Sequence, residues 1–212
     1  YTDGAICDTY KNRVEKGLSW DDPNIGSIID TSEAAQRVVI LAVLPSDPLQ
    51  VAIEAYRNSM LTYKDPFIVS EAIVYALTVW SFINEVPLVD LRKTMSAFAR
   101  NEEIGKYVTT FDQFHQPGIG AVAWNPAISI EPAYMVSSFE AADCQQNHLL
   151  WSGYYLIHRF PDDFEKAILN AINGGGSNMQ RAALVGGMSG AMNGLSGIPE
   201  RFITGLKDNE RL

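Results

Sequence analysis

Apolar residues recur three and four positions apart along most of the chain, the spacing of helices that each bury one face, and strict strand alternation is not seen. The clearest run, Pro161 to Leu206, predicts helix, glycine turn, helix, short turn, helix. In its first helix Phe164, Ala167, Ile168, Ala171 and Ile172 share one stripe, with Asp162 placed to cap and Glu165 three residues on. Gly174, Gly175 and Gly176 end that helix, because three glycines together admit the backbone angles of a tight corner. The second helix carries Ala182, Gly186, Gly190 and Gly194 four apart, flanked by Ala183, Gly187 and Ala191. Each glycine inside a helix costs about 1 kcal/mol relative to alanine, so this bare face predicts a neighbour at close range. Gly197, Ile198 and Pro199 then break the chain and launch a short helix from Glu200 to Leu206.

Upstream, Tyr1 to Lys16 has helical spacing closed by Gly17, and Trp20 to Ile29 reads as loop. Thr31 or Ser32 is placed to cap a helix burying Val38, Val39, Leu41, Ala42 and Leu44, which Pro45 stops. Asp47-Pro48 and Asp65-Pro66 repeat one device, a capping aspartate followed by proline at the first helical position. The helix after Asp47 is expected to bury Leu49, Ala52, Ile53, Tyr56 and Met60. The helix after Asp65 has the broader stripe, Phe67, Val69, Ala72, Ile73, Ala76, Leu77 and Trp80, and is expected at the centre. Pro87 opens another, with Leu88, Leu91, Met95 and Phe98 inward and Arg92 and Lys93 on the wet side.

Asn101 to Gln113 is weakly helical, and His115 to Pro132, holding Pro117, Gly118, Gly120 and Pro126, predicts a long loop with Phe114, Trp124 and Tyr134 to pack it or to serve a site. Ser137 to Phe160 reads as helix with an interruption, carrying Phe139, Ala142, Leu149, Leu150, Trp151, Tyr154 and Ile157; His158 and Arg159 suit the negative pole at its end. The expected fold is all-α, a compact orthogonal array of about eight to ten helices with neither repeat nor low-complexity sequence. One domain over residues 1–212 is the default.

Composition changes this picture little. Hydrophobic content of 47% is ordinary for a globular domain, and a net charge of −9 with no lysine or arginine cluster argues against nucleic acid or anionic lipid as a partner. An acidic, soluble surface and a cytoplasmic location are the default reading. No apolar stretch reads as long enough to span a membrane, and no signal-peptide pattern opens the chain, although cleavage before Tyr1 is compatible with one having been removed. Cys7 and Cys144 are too few for a disulfide framework and are not spaced as a zinc site, so ordinary thiols are expected.

Three clusters invite chemistry. Asp21-Asp22-Pro23 resembles an acidic metal cluster but suits a turn better. His115 beside a proline-glycine turn invites a catalytic reading, against a hydrogen-bonded or solvated side chain. Asp143, Cys144 and His148 gather near the middle of one predicted helix, where the cysteine and histidine share a face; two ligands do not make a metal site, and a buried thiol near a half-exposed histidine is the plainer expectation.

The run from Gly175 through Ala191 to Gly197-Ile198-Pro199-Glu200 resembles the closing motif of the ADP-ribosylglycohydrolase superfamily, which also contains the J-type lens crystallins. Two earlier segments are similar to family segments: Tyr1-Thr2-Asp3-Gly4-Ala5, and Leu61-Thr62-Tyr63-Lys64-Asp65-Pro66, where the family usually has histidine at the position of Tyr63. Active members read Gly-Gly-Asp-Thr-Asp-Thr at the glycine turn, and the resemblance implies that those aspartates bind magnesium beside the scissile ribose bond. Here Gly175 and Gly176 match the glycines, and Ser177-Asn178-Met179-Gln180 follow without a carboxylate. Arg181 is similar to the basic residue that follows this turn in the crystallin-like branch. The acidic motif of the family's opening third is not found, so the chain is expected to be N-terminally incomplete relative to the family.

The resemblance therefore implies two functions. One is a crystallin-like or complex-assembly protein that has lost metal-dependent hydrolysis, needs no cofactor and docks a protein partner or a second copy. Such a chain should expose apolar surface that the family's first helices would cover. The alternative is a magnesium-dependent hydrolase releasing ADP-ribose from modified side chains, its metal ligands supplied by a segment before Tyr1. Anion or ADP-ribose binding, if retained, falls to Gly175, Gly176, Ser177, Asn178 and Arg181, since a glycine turn opening a helix points backbone N–H groups outward. The same turn serves equally as a corner.

Overall fold

The computed structural model describes residues 3–45, 47–109, 111–139 and 143–211. Tyr1 and Thr2 of the opening segment, and Ala142 of the predicted stripe, lie outside them. The fold is all-α, as expected. Its α-helices are α1 (Gly4–Tyr10), α2 (Glu33–Val38), α3 (Pro48–Met60), α4 (Pro66–Ile83), α5 (Leu91–Ala99), α6 (Glu102–Gly105), α7 (Pro132–Ser137), α8 (Gln146–Arg159), α9 (Phe164–Asn173), α10 (Asn178–Asn193) and α11 (Glu200–Thr204). The sole extended pairing among the described residues is an isolated bridge between Ser27 and Tyr63.

Both Asp-Pro devices act as read. Asp47 accepts from the Gln50 N–H at 3.0 Å and Asp65 from that of Phe67 at 2.8 Å, each with proline opening the helix behind it. The helix that Asp65 starts is the centre of the molecule. Fourteen of the 18 residues of α4 are buried, and α2, α3, α8 and α10 pack around it. By length and composition α4 is also apolar enough to cross a membrane, which corrects the reading that no stretch is. It is a core helix here, with 78% of that stretch inside the fold.

Elsewhere local signals are displaced by tertiary contacts. Neither Thr31 nor Ser32 caps α2: Thr31 Oγ1 lies 2.6 Å from the Tyr63 hydroxyl, and Ser32 accepts from the Gln36 side chain. After α2 the chain tightens into a 3-10 turn at Val39–Ala42, which changes the facing of each residue, so Leu44 is 80% exposed rather than buried and Val39 and Leu41 are half-buried. On α3 the buried face includes Val51, Ala55 and Ser59, with Leu49, Tyr56 and Met60 at its margins. The expected loop from His115 is instead largely a 3-10 segment, Phe111–Trp124, that accommodates Pro117 and buries Gln113, Phe114 and Gln116 against the core. The helix α8 begins only at Gln146, so Asp143 and Cys144 precede it and share no helical face with His148. His158 does stand in the last turn of α8, where it is buried, and burial pushes its imidazole below the ordinary histidine pKa.

In the closing run, Asp163 rather than Asp162 caps α9, accepting from the Lys166 N–H at 2.9 Å. Pro199 sits at the cap of α11, one residue before the helix, and Gly194 ends α10 with φ of 64° instead of extending the small-residue ladder. The close approach predicted for α10 occurs at Gly187. A Cβ there would lie 2.5 Å from the Tyr75 hydroxyl on α4 and 2.8 Å from Val39, whereas at Gly186 and Gly190 it would meet neighbours no nearer than 3.5 and 3.8 Å. The buried Tyr75 hydroxyl donates to the Leu184 carbonyl at 3.0 Å, joining α4 to the backbone of α10.

Candidate functional site

Three helix N-termini converge beside the core. The Gln146 N–H at the start of α8 donates to Asp30, just before α2, at 3.0 Å, and the Ala35 N–H of α2 donates to the Gln146 side-chain oxygen at 3.2 Å. Cys144 places its sulfur 3.2 Å from the Ser177 hydroxyl, at the cap of α10. The ends of α2, α8 and α10 that carry partial positive charge are thereby tied into one polar seam. Tyr63 adds to it from below: its buried hydroxyl donates to Glu33 at 2.9 Å, and desolvation drives its pKa well above that of a free tyrosine.

The glycine turn is built as a braced corner. Gly175 and Gly176 adopt φ of 71° and 58°, which only glycine takes without strain. Gly174 lies against Val136 so closely that a Cβ there would collide with it, and the Gly174 carbonyl accepts from Ser137 at 2.8 Å. Arg181 has a fully buried side chain. Its Nε donates to the Ala171 carbonyl at 2.8 Å and its Nη2 to the Gly175 carbonyl, so the guanidinium closes the end of α9 and holds the turn. Desolvation lowers its pKa to about 10, leaving it charged at neutral pH.

The residues named from sequence for anion binding are thus together, with much of their polar capacity already engaged. Ser177 faces Cys144, the Asn178 N–H donates to the Gly176 carbonyl at 2.7 Å, and Arg181 points inward. Met179 is 74% exposed and offers only a thioether. A magnesium ion takes hard oxygen ligands, chiefly carboxylates, and this donor set does not fit it. Among the described residues no three histidine, cysteine, aspartate or glutamate side chains gather as metal ligands. His148 lies 3.3 Å from Asp143, and the Cys144 sulfur is set against the Ser177 hydroxyl.

Sequence reasoning missed the most unusual group next to this seam. Glu71 projects from the middle of α4 and is 1% exposed. Its carboxylate accepts from the Gln116 amide at 2.6 Å and, at 3.4 Å, from the Gln146 amide, which also donates to the Ile68 carbonyl at 2.7 Å. Burial raises its pKa to about 7, with Asp30 and Asp65 adding to the rise and the two amides opposing it. One acidic residue inside an apolar 18-residue helix is the signal that could have found it, and the predicted stripe leaves it out.

The folded protein consequently binds more protons than the unfolded chain between about pH 4.5 and 7, and this contribution to stability is lost as pH rises across that window. Glu71→Gln is expected to stabilise the fold by about 2–3 kcal/mol at pH 8 and by close to nothing at pH 4.5. Urea unfolding of both proteins at the two pH values measures it, and an equal effect at both would refute the assignment.

A family model described as ADP-ribosylglycohydrolase matches residues 4–212. No curated protein matches the chain.

Proposed function

The chain belongs to the ADP-ribosylglycohydrolase family, and we propose that it is a non-catalytic member, serving a structural, crystallin-like or complex-assembly role. The donor set at the start of α10 carries this reading. Where active relatives are expected to present two aspartates, this chain has a serine hydroxyl turned to Cys144 and an exposed methionine. Asn178 offers a neutral oxygen, which orients a ligand but leaves a cation's charge uncompensated. With Arg181 committed to the carbonyls of Ala171 and Gly175, the turn works as a corner rather than as an ADP-ribose cradle. The direct test is an ADP-ribose release assay on mono-ADP-ribosylated protein with excess magnesium. No release above the buffer rate is expected; turnover would restore the hydrolase reading, with metal ligands from outside this chain.

The assembly role is supported by an apolar face along α1. Ile6, Tyr10 and Val14 recur every four residues on that helical stretch, and with Trp20 and Leu61 they wall an open groove of about 790 Å³, all five between 44% and 61% exposed. A contiguous apolar face of this kind marks a contact surface. A protein partner or a second copy would cover it. Sedimentation velocity over a concentration series is expected to show the wild type growing heavier while Trp20→Glu stays at one size. A wild type of constant size would remove self-association and leave a different protein as the partner.

A further inference from the structure

At the opposite end of α8 from the seam of helix N-termini, about 18 Å along the helix, lies a second polar recess. It is a cleft of about 500 Å³ between the last turn of α8 and the end of the 3-10 segment Phe111–Trp124, lined among others by Trp124, Asn125, Ile128, His158, Arg159 and Pro161. None of its lining residues is acidic, in a chain of net charge −9.

His158 is the buried member of this set. It is 4% exposed, and its Nδ1 stands 2.7 Å from the Tyr154 carbonyl. A carbonyl only accepts, so Nδ1 carries the proton and Nε2 is left as a lone-pair acceptor. Among the described residues Nε2 has no hydrogen-bond partner, but it is not shut inside the protein as the orphaned atoms of Ser59, Gln116, Trp151 and Tyr154 are. Its lone pair therefore opens outward, and the space that His158 lines is this cleft. Gly120 fixes the ring, since the segment's backbone lies so close that a Cβ there would overlap Nδ1 and Cε1.

Trp124 supplies the wall. Its indole N–H donates to the His158 carbonyl at 3.1 Å with the two rings 4.9 Å apart, and half of the residue is still exposed. An indole pinned by its own N–H presents a fixed apolar face with no donor left to satisfy. Two donors stand at the rim. Arg159 lies over the Phe160 ring at 5.8 Å and keeps guanidinium N–H groups for a ligand, while Asn125 accepts from the Ala127 N–H at 3.0 Å through its side-chain oxygen, leaving its amide nitrogen to donate.

We propose that this cleft binds a neutral sugar in its pyranose form. Charge and shape select that class. An anion would meet Arg159 but also the carbonyl end of α8, which carries partial negative charge, and a cation would meet Arg159 itself. A pyranose is uncharged, lays a flat face of C–H groups on the indole and carries at its edge hydroxyls that both donate and accept. One hydroxyl donates to Nε2 while its neighbours accept from Arg159 and Asn125. The cleft shares no residue with the glycine turn, so this binding stands whether or not the chain hydrolyses ADP-ribose.

Saturation-transfer NMR on the full chain tests this, with the methyl glycosides of glucose, galactose, mannose and N-acetylglucosamine as probes at millimolar concentration. At least one of the four is expected to receive saturation, strongest at the ring C–H protons that face the indole. Titrating that sugar into variants locates the site. Trp124→Ala is expected to abolish the signal, and Arg159→Ala, at an exposed position, to weaken binding about tenfold. Tyr134→Ala, which removes an exposed aromatic outside the cleft, should leave it unchanged. No transfer to any of the four sugars would overturn the proposal, as would a signal unchanged in Trp124→Ala or in Arg159→Ala, or one lost in Tyr134→Ala.

Discussion

Replacing Arg181 by methionine is expected to destabilise the fold by about 3 kcal/mol, although the side chain keeps its length and apolar body. The loss comes from the carbonyls of Ala171 and Gly175, which the guanidinium satisfies from inside the protein. A buried acceptor deprived of its donor costs about 1–3 kcal/mol, and two are affected. Arg181→Lys should recover only part of this, because an ammonium is a compact donor that cannot hold two carbonyls in a planar fork. Urea denaturation with the slope held common to all three proteins measures the series. A change below about 0.5 kcal/mol in Arg181→Met would mean that the corner stands without the arginine, and the side chain would again be a candidate ligand contact.

The second large effect is expected at Gly187, and its value lies in the contrast with Gly186 one residue earlier. An alanine Cβ at Gly187 enters the space of the Tyr75 hydroxyl and of Val39. Both neighbours belong to the packed core, so either the Tyr75 bond to the Leu184 carbonyl breaks or α10 moves off α4. Overpacking of about 1–3 kcal/mol plus the lost bond outweighs the roughly 1 kcal/mol that alanine gains in a helix, for a net loss of about 2 kcal/mol. At Gly186 the nearest atom to such a Cβ is an Ile168 methyl at 3.5 Å, an ordinary contact, and alanine there should be neutral or stabilise by up to about 1 kcal/mol. Thermal unfolding of the two single variants suffices. Equal effects would show that the four-residue glycine ladder, not the single approach at Gly187, governs the packing of α10.

These two positions mark what the sequence can and cannot carry. Asp47-Pro48 and Asp65-Pro66 act within four residues of themselves, so their caps and the helices behind them were legible. The centrality of α4 was legible too, from a stripe too broad for a surface helix. Arg181 was not, because its role depends on the end of another helix curling back over it. The seam joining Asp30 to Gln146 and Cys144 to Ser177 spans 116 and 33 residues, and no local pattern announces such pairs. The 3-10 segment was misread for a related reason: Pro117, Gly118 and Gly120 signal a loop, but Gly120 is there to let the backbone touch His158. Glu71 shows the opposite case, a visible residue whose meaning lies in the amides that two distant segments bring to it.

For the candidate site, sequence pointed to the glycine turn, and tertiary structure shows where the polar groups of that turn are directed. Gly175, Gly176, Ser177, Asn178 and Arg181 do lie together, but their hydrogen bonds run mainly to the protein itself. The central claim is that this corner has exchanged metal and ligand binding for internal bracing. Calorimetric titration of the purified chain with ADP-ribose, with and without magnesium, tests it most directly. The account predicts no measurable binding in either condition, and binding that strengthens when magnesium is added would contradict it.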